Sequence, residues 1–214
     1  MSSLSRRDLL LGGTAIALLA SCSGRSAEAD AQRPLARNDL YACEGCEAVF
    51  ERDPAGLSWD VDVARGEPGE PLIAEGVVRR ADGMTPAPGV IVYLHQTNAQ
   101  GLYANGTNNN EWSRRHGRLR AWALTDAQGR YRFRTIKPAP YPDMTMPAHI
   151  HLMIGERDRR PYYVDDIVFA GEFKVDADYR ARQELRGGSG IATLTRDGSG
   201  VLRAVRDIVL ERHP

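Results

Sequence analysis

From Leu72 onward the chain is written in short runs of alternating apolar and polar residues separated by turn formers. Such a pattern predicts an all-β domain, a two-sheet β-sandwich with few short helices and long loops at one end. Strands are expected at 73–79, 90–96, 121–125, 130–134, 148–154, 164–169, 191–195 and 201–210, with Asp82-Gly83 and Pro86-Ala87-Pro88-Gly89 punctuating the first two. Within 130–134, Tyr131 and Phe133 fall on one face while Arg130, Arg132 and Arg134 fall on the other. With the turn Asp126-Ala127-Gln128-Gly129, this run is expected to form a hairpin with 121–125. Residues 104–120 break the rhythm: Asn105-Gly106, three consecutive asparagines and Ser113-Arg114-Arg115-His116-Gly117 predict a long polar loop, of a length that commonly carries function.

The first residues read differently. Adjacent Arg6 and Arg7 precede an apolar run of about 12 residues, too short to span ~30 Å of hydrocarbon as a helix and typical of a signal peptide. The arginine pair resembles a twin-arginine export signal, and Leu19-Ala20-Ser21-Cys22 resembles a bacterial lipobox in which Cys22 becomes the lipidated N-terminus. Residues 1–21 are therefore expected to be an export signal and 22–38 a flexible tether. An N-terminal extension at 39–70 and the sandwich at 71–214 follow. This organisation predicts a bacterial cell-envelope location, either periplasmic or held to membrane only through its lipid.

Charge adds an exclusion. With 28 basic and 28 acidic side chains the formal net charge is zero, so nothing suggests a nucleic-acid partner or a polybasic membrane patch. Of three cysteines, Cys22 is assigned to the lipid, leaving Cys43 and Cys46. In an exported chain Cys43-Glu44-Gly45-Cys46 is most simply a short disulfide loop. A redox-active thiol pair lacks a surrounding βαβ pattern, and a role in a metal or partner site stays open.

Candidate chemistry concentrates in Pro140-Tyr141-Pro142-Asp143-Met144-Thr145-Met146-Pro147-Ala148-His149-Ile150-His151-Leu152. His149 and His151, at i and i+2 of a strand, share one face while Ala148, Ile150 and Leu152 take the other. Tyr141 lies a short loop upstream, and Tyr103 follows the 90–96 strand. Phenolates and imidazoles converging in this way suit a hard, high-valent iron better than zinc or magnesium. Taken alone, His-x-His is equally consistent with two exposed histidines on a half-buried strand.

Three segments together carry a resemblance to the intradiol ring-cleavage dioxygenases: Gly89 through Tyr103, Thr125 through Pro142, and Pro147-Ala148-His149-Ile150-His151, in matching order and spacing over about 72–170. The resemblance implies Fe(III) held by Tyr103, Tyr141, His149 and His151, with Tyr141 the ligand that a catechol displaces. It also implies ring cleavage with dioxygen to a muconate-type diacid. Two departures bear on the substrate. Met146 stands where the family usually has arginine, and Asp166 is the nearest match to a glutamine on the strand after the histidines; both are candidate substrate contacts. Loss of a cation argues against a carboxylated catechol, unless Arg114, Arg115, Arg159 or Arg160 restores the charge from a loop. The same departures leave room for an envelope lipoprotein that binds a ligand or partner without turnover. A zinc hydrolase built on His149 and His151 lacks an evident third carboxylate at useful spacing.

Overall fold

The computed structural model describes residues 36–106 and 110–214; the expected export signal, Cys22 and most of the tether lie outside them. Among the described residues, eleven strands form two sheets. The first is ordered β1 (Asp60–Asp62), β5 (Arg130–Ile136), β2 (Pro71–Arg79), β10 (Leu202–Val205) and β9 (Thr195–Arg196), with β11 (Ile208–Val209) also paired to β2. The second is ordered β4 (Arg120–Leu124), β3 (Ile91–Gln96), β6 (His149–Gly155), β7 (Tyr162–Phe169) and β8 (Ile191–Ala192). Two short helices, α1 (Glu111–His116) and α2 (Ala177–Arg182), complete the regular elements of the described residues together with 3-10 turns at Cys46–Phe50 and Pro54–Gly56. Among the described residues no helix is long and apolar enough to cross a membrane.

The period-2 pattern sets the packing. Ala74 and Val78 of β2 and Tyr131 and Phe133 of β5 face Val92 and Leu94 of β3 and Ile150, Leu152 and Ile154 of β6, all buried in one core. The outward arginines of β5 stay at the surface and pair with acids: Arg132 with Glu75 and Asp60, Arg134 with Asp60.

The expected hairpin is corrected. The turn at 126–129 forms as read, with the Asp126 carboxylate accepting from Gln128 N and Arg130 N at 3.0 and 2.9 Å. However, β4 pairs with β3 and β5 with β2, so the turn carries the chain from one sheet to the other. The same Asp–Gly chemistry serves a hairpin and an arch, and only the strand partners distinguish them. The expected 191–195 strand likewise divides, β8 joining one sheet and β9 the other. The 201–210 run breaks at Arg206-Asp207, although both halves run parallel to β2. At that break the Arg206 carbonyl approaches Gly76 so closely that a Cβ would lie 2.0 Å from it, which only glycine permits.

Residues 104–120 are not loop throughout, because they contain α1. Asn110 caps it, its side-chain oxygen accepting from Ser113 N at 2.8 Å. Six residues make fewer than two turns, too few for a helical period to show.

Residues 39–70 pack on the sandwich. Leu40 enters the main core, and β1 pairs with β5. Cys46, Ala48 and Val49 cover the outer face of the second sheet over Ile91, Tyr93, Trp122 and Met153. Trp122 Nε1 donates to the Ala48 carbonyl at 2.8 Å. This layer explains why β3 is buried on both faces. It ends where the outward row reaches His95 and His151.

Candidate metal centre

Strand alternation aims His149, His151 and Met153 away from the core, onto the outer face of the second sheet. The tyrosines arrive on two loops joined by Asn98. Its side-chain oxygen accepts from Gln100 N and Leu102 N at 3.0 Å, shaping the turn before Tyr103. Its carbonyl accepts from Ala139 N at 3.1 Å, next to Pro140-Tyr141. Thr97 Oγ1 adds a bond to the Ala139 carbonyl at 2.9 Å. Gly101, at φ +77, lets the first loop lie against the Pro140 carbonyl, where a Cβ would be 2.0 Å away.

Four side-chain atoms close a ring. Tyr103 Oη lies 3.0 Å from Tyr141 Oη, which lies 3.1 Å from His149 Nε2. His149 Nε2 lies 3.1 Å from His151 Nε2, which returns to Tyr103 Oη at 2.9 Å. All four residues expected from the resemblance thus meet at one point.

The far side of each imidazole fixes its tautomer. His149 Nδ1 donates to the Pro147 carbonyl at 2.7 Å, and His151 Nδ1 donates to Asp166 Oδ1 at 3.0 Å. Both Nε2 atoms therefore present lone pairs to the ring when the imidazoles are neutral. Two phenol protons can serve at most two of the four contacts, leaving lone pairs opposed across the others. A cation at the centre resolves that conflict, since edges near 3 Å suit donors sharing one ion through bonds of ~2.0–2.2 Å. Two oxygens and two nitrogens that include phenolates fit ferric iron.

Electrostatics agree with the geometry. Burial pushes the Tyr103 phenol up, and the neighbouring Tyr141 and Asp166 push it further; ionising it requires a nearby positive charge. Burial and the adjacent His151 lower His149. Burial also works against the charged form of His151, but Asp166 outweighs it and the net direction is upward. Burial alone would raise Asp166; the adjacent His151 wins and holds its carboxyl below the usual range.

Asp166 owes its place to a bulge. The β6–β7 register shifts between Ile150 and Leu152, so Asp165 and Asp166 together oppose His151. Asp166 thus supplies a carboxylate near both histidines, which sequence spacing had not revealed. Its oxygen lies within 4.8 Å of donor atoms of His149 and His151, but it meets His151 on Nδ1, the side away from the ring. It orients the imidazole as carboxylates behind metal-bound histidines do. Met146 is 43% exposed on the stretch before His149 and brings no charge. Of the arginines considered for that role, Arg115 is ion-paired with Glu44 and Arg160 lies over the Tyr41 ring.

Several neighbours were not singled out from sequence. His95 is paired in register with His151 and stacks between His151 and His116, with ring centroids 4.3 and 4.0 Å apart. Tyr93 Oη and His116 Nδ1 are 2.8 Å apart. Four of the chain's five histidines therefore gather here. The available signal was positional: Tyr93 and His95 occupy outward positions of a strand whose other residues, Gln96 at its end apart, are aliphatic. Cys43 and Cys46 are joined as a disulfide, and Gly45 between them sits against the His116 ring, where a Cβ would lie 2.9 Å from Nε2.

A two-sheet sandwich that brings two tyrosines and two histidines to one point offers a donor set able to hold a metal ion. Comparison with known proteins agrees. The family model described as Dioxygenase matches residues 53–181, more than half of the chain. The protocatechuate 3,4-dioxygenase beta chain of Burkholderia cepacia is 36% identical over 99 residues, 43% of this chain and 42% of the relative. The hydroxyquinol 1,2-dioxygenase of Rhodococcus opacus is 30% identical over 131 residues, 60% of this chain and 39% of the relative. Among solved structures, catechol 1,2-dioxygenase from Pseudomonas arvilla C-1 superposes with a TM-score of 0.54 at 27% identity, covering 73% of this chain and 58% of that one. The chain belongs to the intradiol ring-cleavage dioxygenase family. Its matches span less than half the length of these curated relatives.

Proposed function

We propose that this chain is an Fe(III)-dependent intradiol dioxygenase that cleaves a catechol-type aromatic with dioxygen to a muconate-type diacid. The observation that carries this reading is the closed ring of Tyr103 Oη, Tyr141 Oη, His149 Nε2 and His151 Nε2, with neighbouring atoms 2.9 to 3.1 Å apart. The relatives are named for action on protocatechuate, catechol and hydroxyquinol, which supports a dihydroxylated aromatic substrate. Ferric iron in this donor set would supply the Lewis acidity that withdraws electron density from a bound catecholate.

The residues have separable tasks. Tyr103 and His151 are half-buried partners in the ring, His151 steered by Asp166. His149 is buried and anchored by the Pro147 carbonyl. Tyr141 is half-buried on a proline-flanked loop with the exposed stretch 142–146 directly after it. It is the donor free to swing away, and its Oη can take up a catechol proton as it leaves. Met146 and Asp166 are the proposed neighbours of the substrate.

Oxygen uptake with product mass across a panel of catechols tests the reading. A ring-opened diacid formed with one dioxygen consumed per catechol supports it. Ferric colour that shifts with catechol but consumes no oxygen marks a ligand-binding protein instead. The proposal extends to location: export through a twin-arginine-like signal, with Cys22 carrying the lipid. Metabolic labelling with a fatty acid, lost in Cys22→Ala, is the expected result.

A further inference from the structure

His151 is held at one edge, where Nδ1 meets Asp166, so the tilt of its ring is set by what lies on its face. His95 lies there. Its ring centroid is 4.3 Å from that of His151, with the planes 27° apart, and 5.8 Å from that of Tyr103. On the other side of His95 lies His116, 4.0 Å away and inclined by only 5°. The imidazoles of His116, His95 and His151 make one column that ends at a proposed iron donor.

The column is anchored at each level. His95 belongs to β3, which is hydrogen-bonded to β4 on one side and to β6 on the other, with His95 opposite His151. It is buried, and its Nδ1 has no hydrogen-bond partner among the described residues, so the ring acts by contact. His116 closes α1, and its Nδ1 lies 2.8 Å from the buried Tyr93 Oη. Beyond His116 the column meets the Cys43–Cys46 loop, where a Cβ on Gly45 would be 2.9 Å from His116 Nε2. Gly117, next along the chain, lies against Tyr103, where a Cβ would be 3.1 Å from the tyrosine Cα. The end of α1 therefore bears on Tyr103 directly and on His151 through His95.

We infer that His95 and His116 are positioning residues for the metal centre. Their stacked column, backed by the disulfide loop, fixes the tilt of the His151 ring and keeps Nε2 aimed at the point shared with Tyr103, Tyr141 and His149. This rests on the ferric reading above. A ring held only by a hydrogen bond at one edge can swing about that edge, and a donor moved by ~0.5 Å or turned by ~10–20° leaves productive geometry. Close contact on the ring face removes that freedom, because a close-packed interior transmits displacement instead of absorbing it. Leucine at position 95 would fill much of the volume but offers no flat face to lie along His151.

The test measures the iron affinity of the full chain by competition with a coloured chelator, the ferric phenolate band, and the melting temperature of the metal-free protein. His95→Leu breaks no hydrogen bond at Nδ1, so it should melt close to wild type. Its iron affinity should nevertheless fall about tenfold, the lower end for residues behind metal ligands, and its band should shift. His95→Phe restores a flat ring and should return affinity to within about threefold of wild type. His116→Gln, which keeps a polar partner for Tyr93 Oη, should weaken iron binding about threefold. Combined with His95→Leu it should add nothing, because one column carries both effects. Gly76→Ala, on the other sheet, should lower the melting temperature while leaving affinity and band unchanged. A folded His95→Leu with wild-type affinity and band overturns the column, as do losses at 95 and 116 that multiply independently. So does an equal loss of affinity in Gly76→Ala. Should His95→Leu not fold, unchanged affinity in His116→Gln overturns it instead. A wild-type chain that takes up no iron overturns the ferric reading itself, and that failure shows before any variant is compared.

Discussion

Asp166 Oδ1 accepts a hydrogen bond from His151 Nδ1 at 3.0 Å, and that bond exists because a bulge sets two residues of β7 against one of β6. A departure from the family pattern thereby acquires a structural task. The carboxylate fixes the tautomer that turns Nε2 toward Tyr103 and His149, and it brings negative charge to the back of the imidazole. Substituting Asp166 with Ala should lower iron affinity about 10- to 100-fold, measured by competition with a coloured chelator. Asp166→Asn, which keeps an acceptor and loses the charge, should fall between.

Tyr141 offers a sharper division of labour. Tyr141→Phe leaves three donors, Tyr103 among them, so the chain should still bind iron and keep the Tyr103 phenolate-to-iron band while losing the part of the colour that Tyr141 supplies. Turnover should drop by at least about 100-fold, because the exchangeable donor and its proton acceptor are one atom. Visible absorption and oxygen uptake on one preparation check both halves.

The pH dependence of the metal-free protein follows from His116. Burial and Arg120 depress it from 6.5 to about 4, so between those values the unfolded chain binds the proton and the folded chain does not. Stability should therefore rise with pH across that window and be lost as pH falls from 6.5 toward 4. Urea midpoints between pH 4 and 7 measure the slope, which should flatten in His116→Gln.

Packing at Gly76 is equally exposed to test. A methyl group there would lie 2.0 Å from the Arg206 carbonyl, at the point where β10 gives way to β11. Gly76→Ala should cost about 3 kcal/mol, at the upper end for overpacking, seen as a lower denaturation midpoint with unchanged slope.

Much of this was legible in the chain because it depended on local pattern. Alternation at Tyr131 and Phe133 located β5 and its inward face, and His-Ile-His declared its outward face by the same rule. The tyrosine donors were legible only through resemblance, since a tyrosine at a strand end has no local mark of metal binding. What stayed hidden depended on partners distant in sequence. The Asp126–Gly129 turn reads the same whether it joins strands in one sheet or two. Asp166 required a bulge that no spacing rule foretells. His95 and His116 are 21 positions apart, and their stacking is set by the cap that starts α1 and by the register of β3. The Cys43–Cys46 loop borders the cavity beside His151 only because Cys46, Ala48 and Val49 anchor the extension over Trp122.

The most direct measurement is ferric loading of the purified chain followed by visible spectroscopy as catechol is added. One iron per chain is expected, with a red-brown phenolate-to-iron band that shifts on catechol binding and is followed, once oxygen is admitted, by oxygen uptake and a ring-opened diacid. A chain that folds in the presence of iron yet emerges colourless and iron-free would contradict a centre built from Tyr103, Tyr141, His149 and His151.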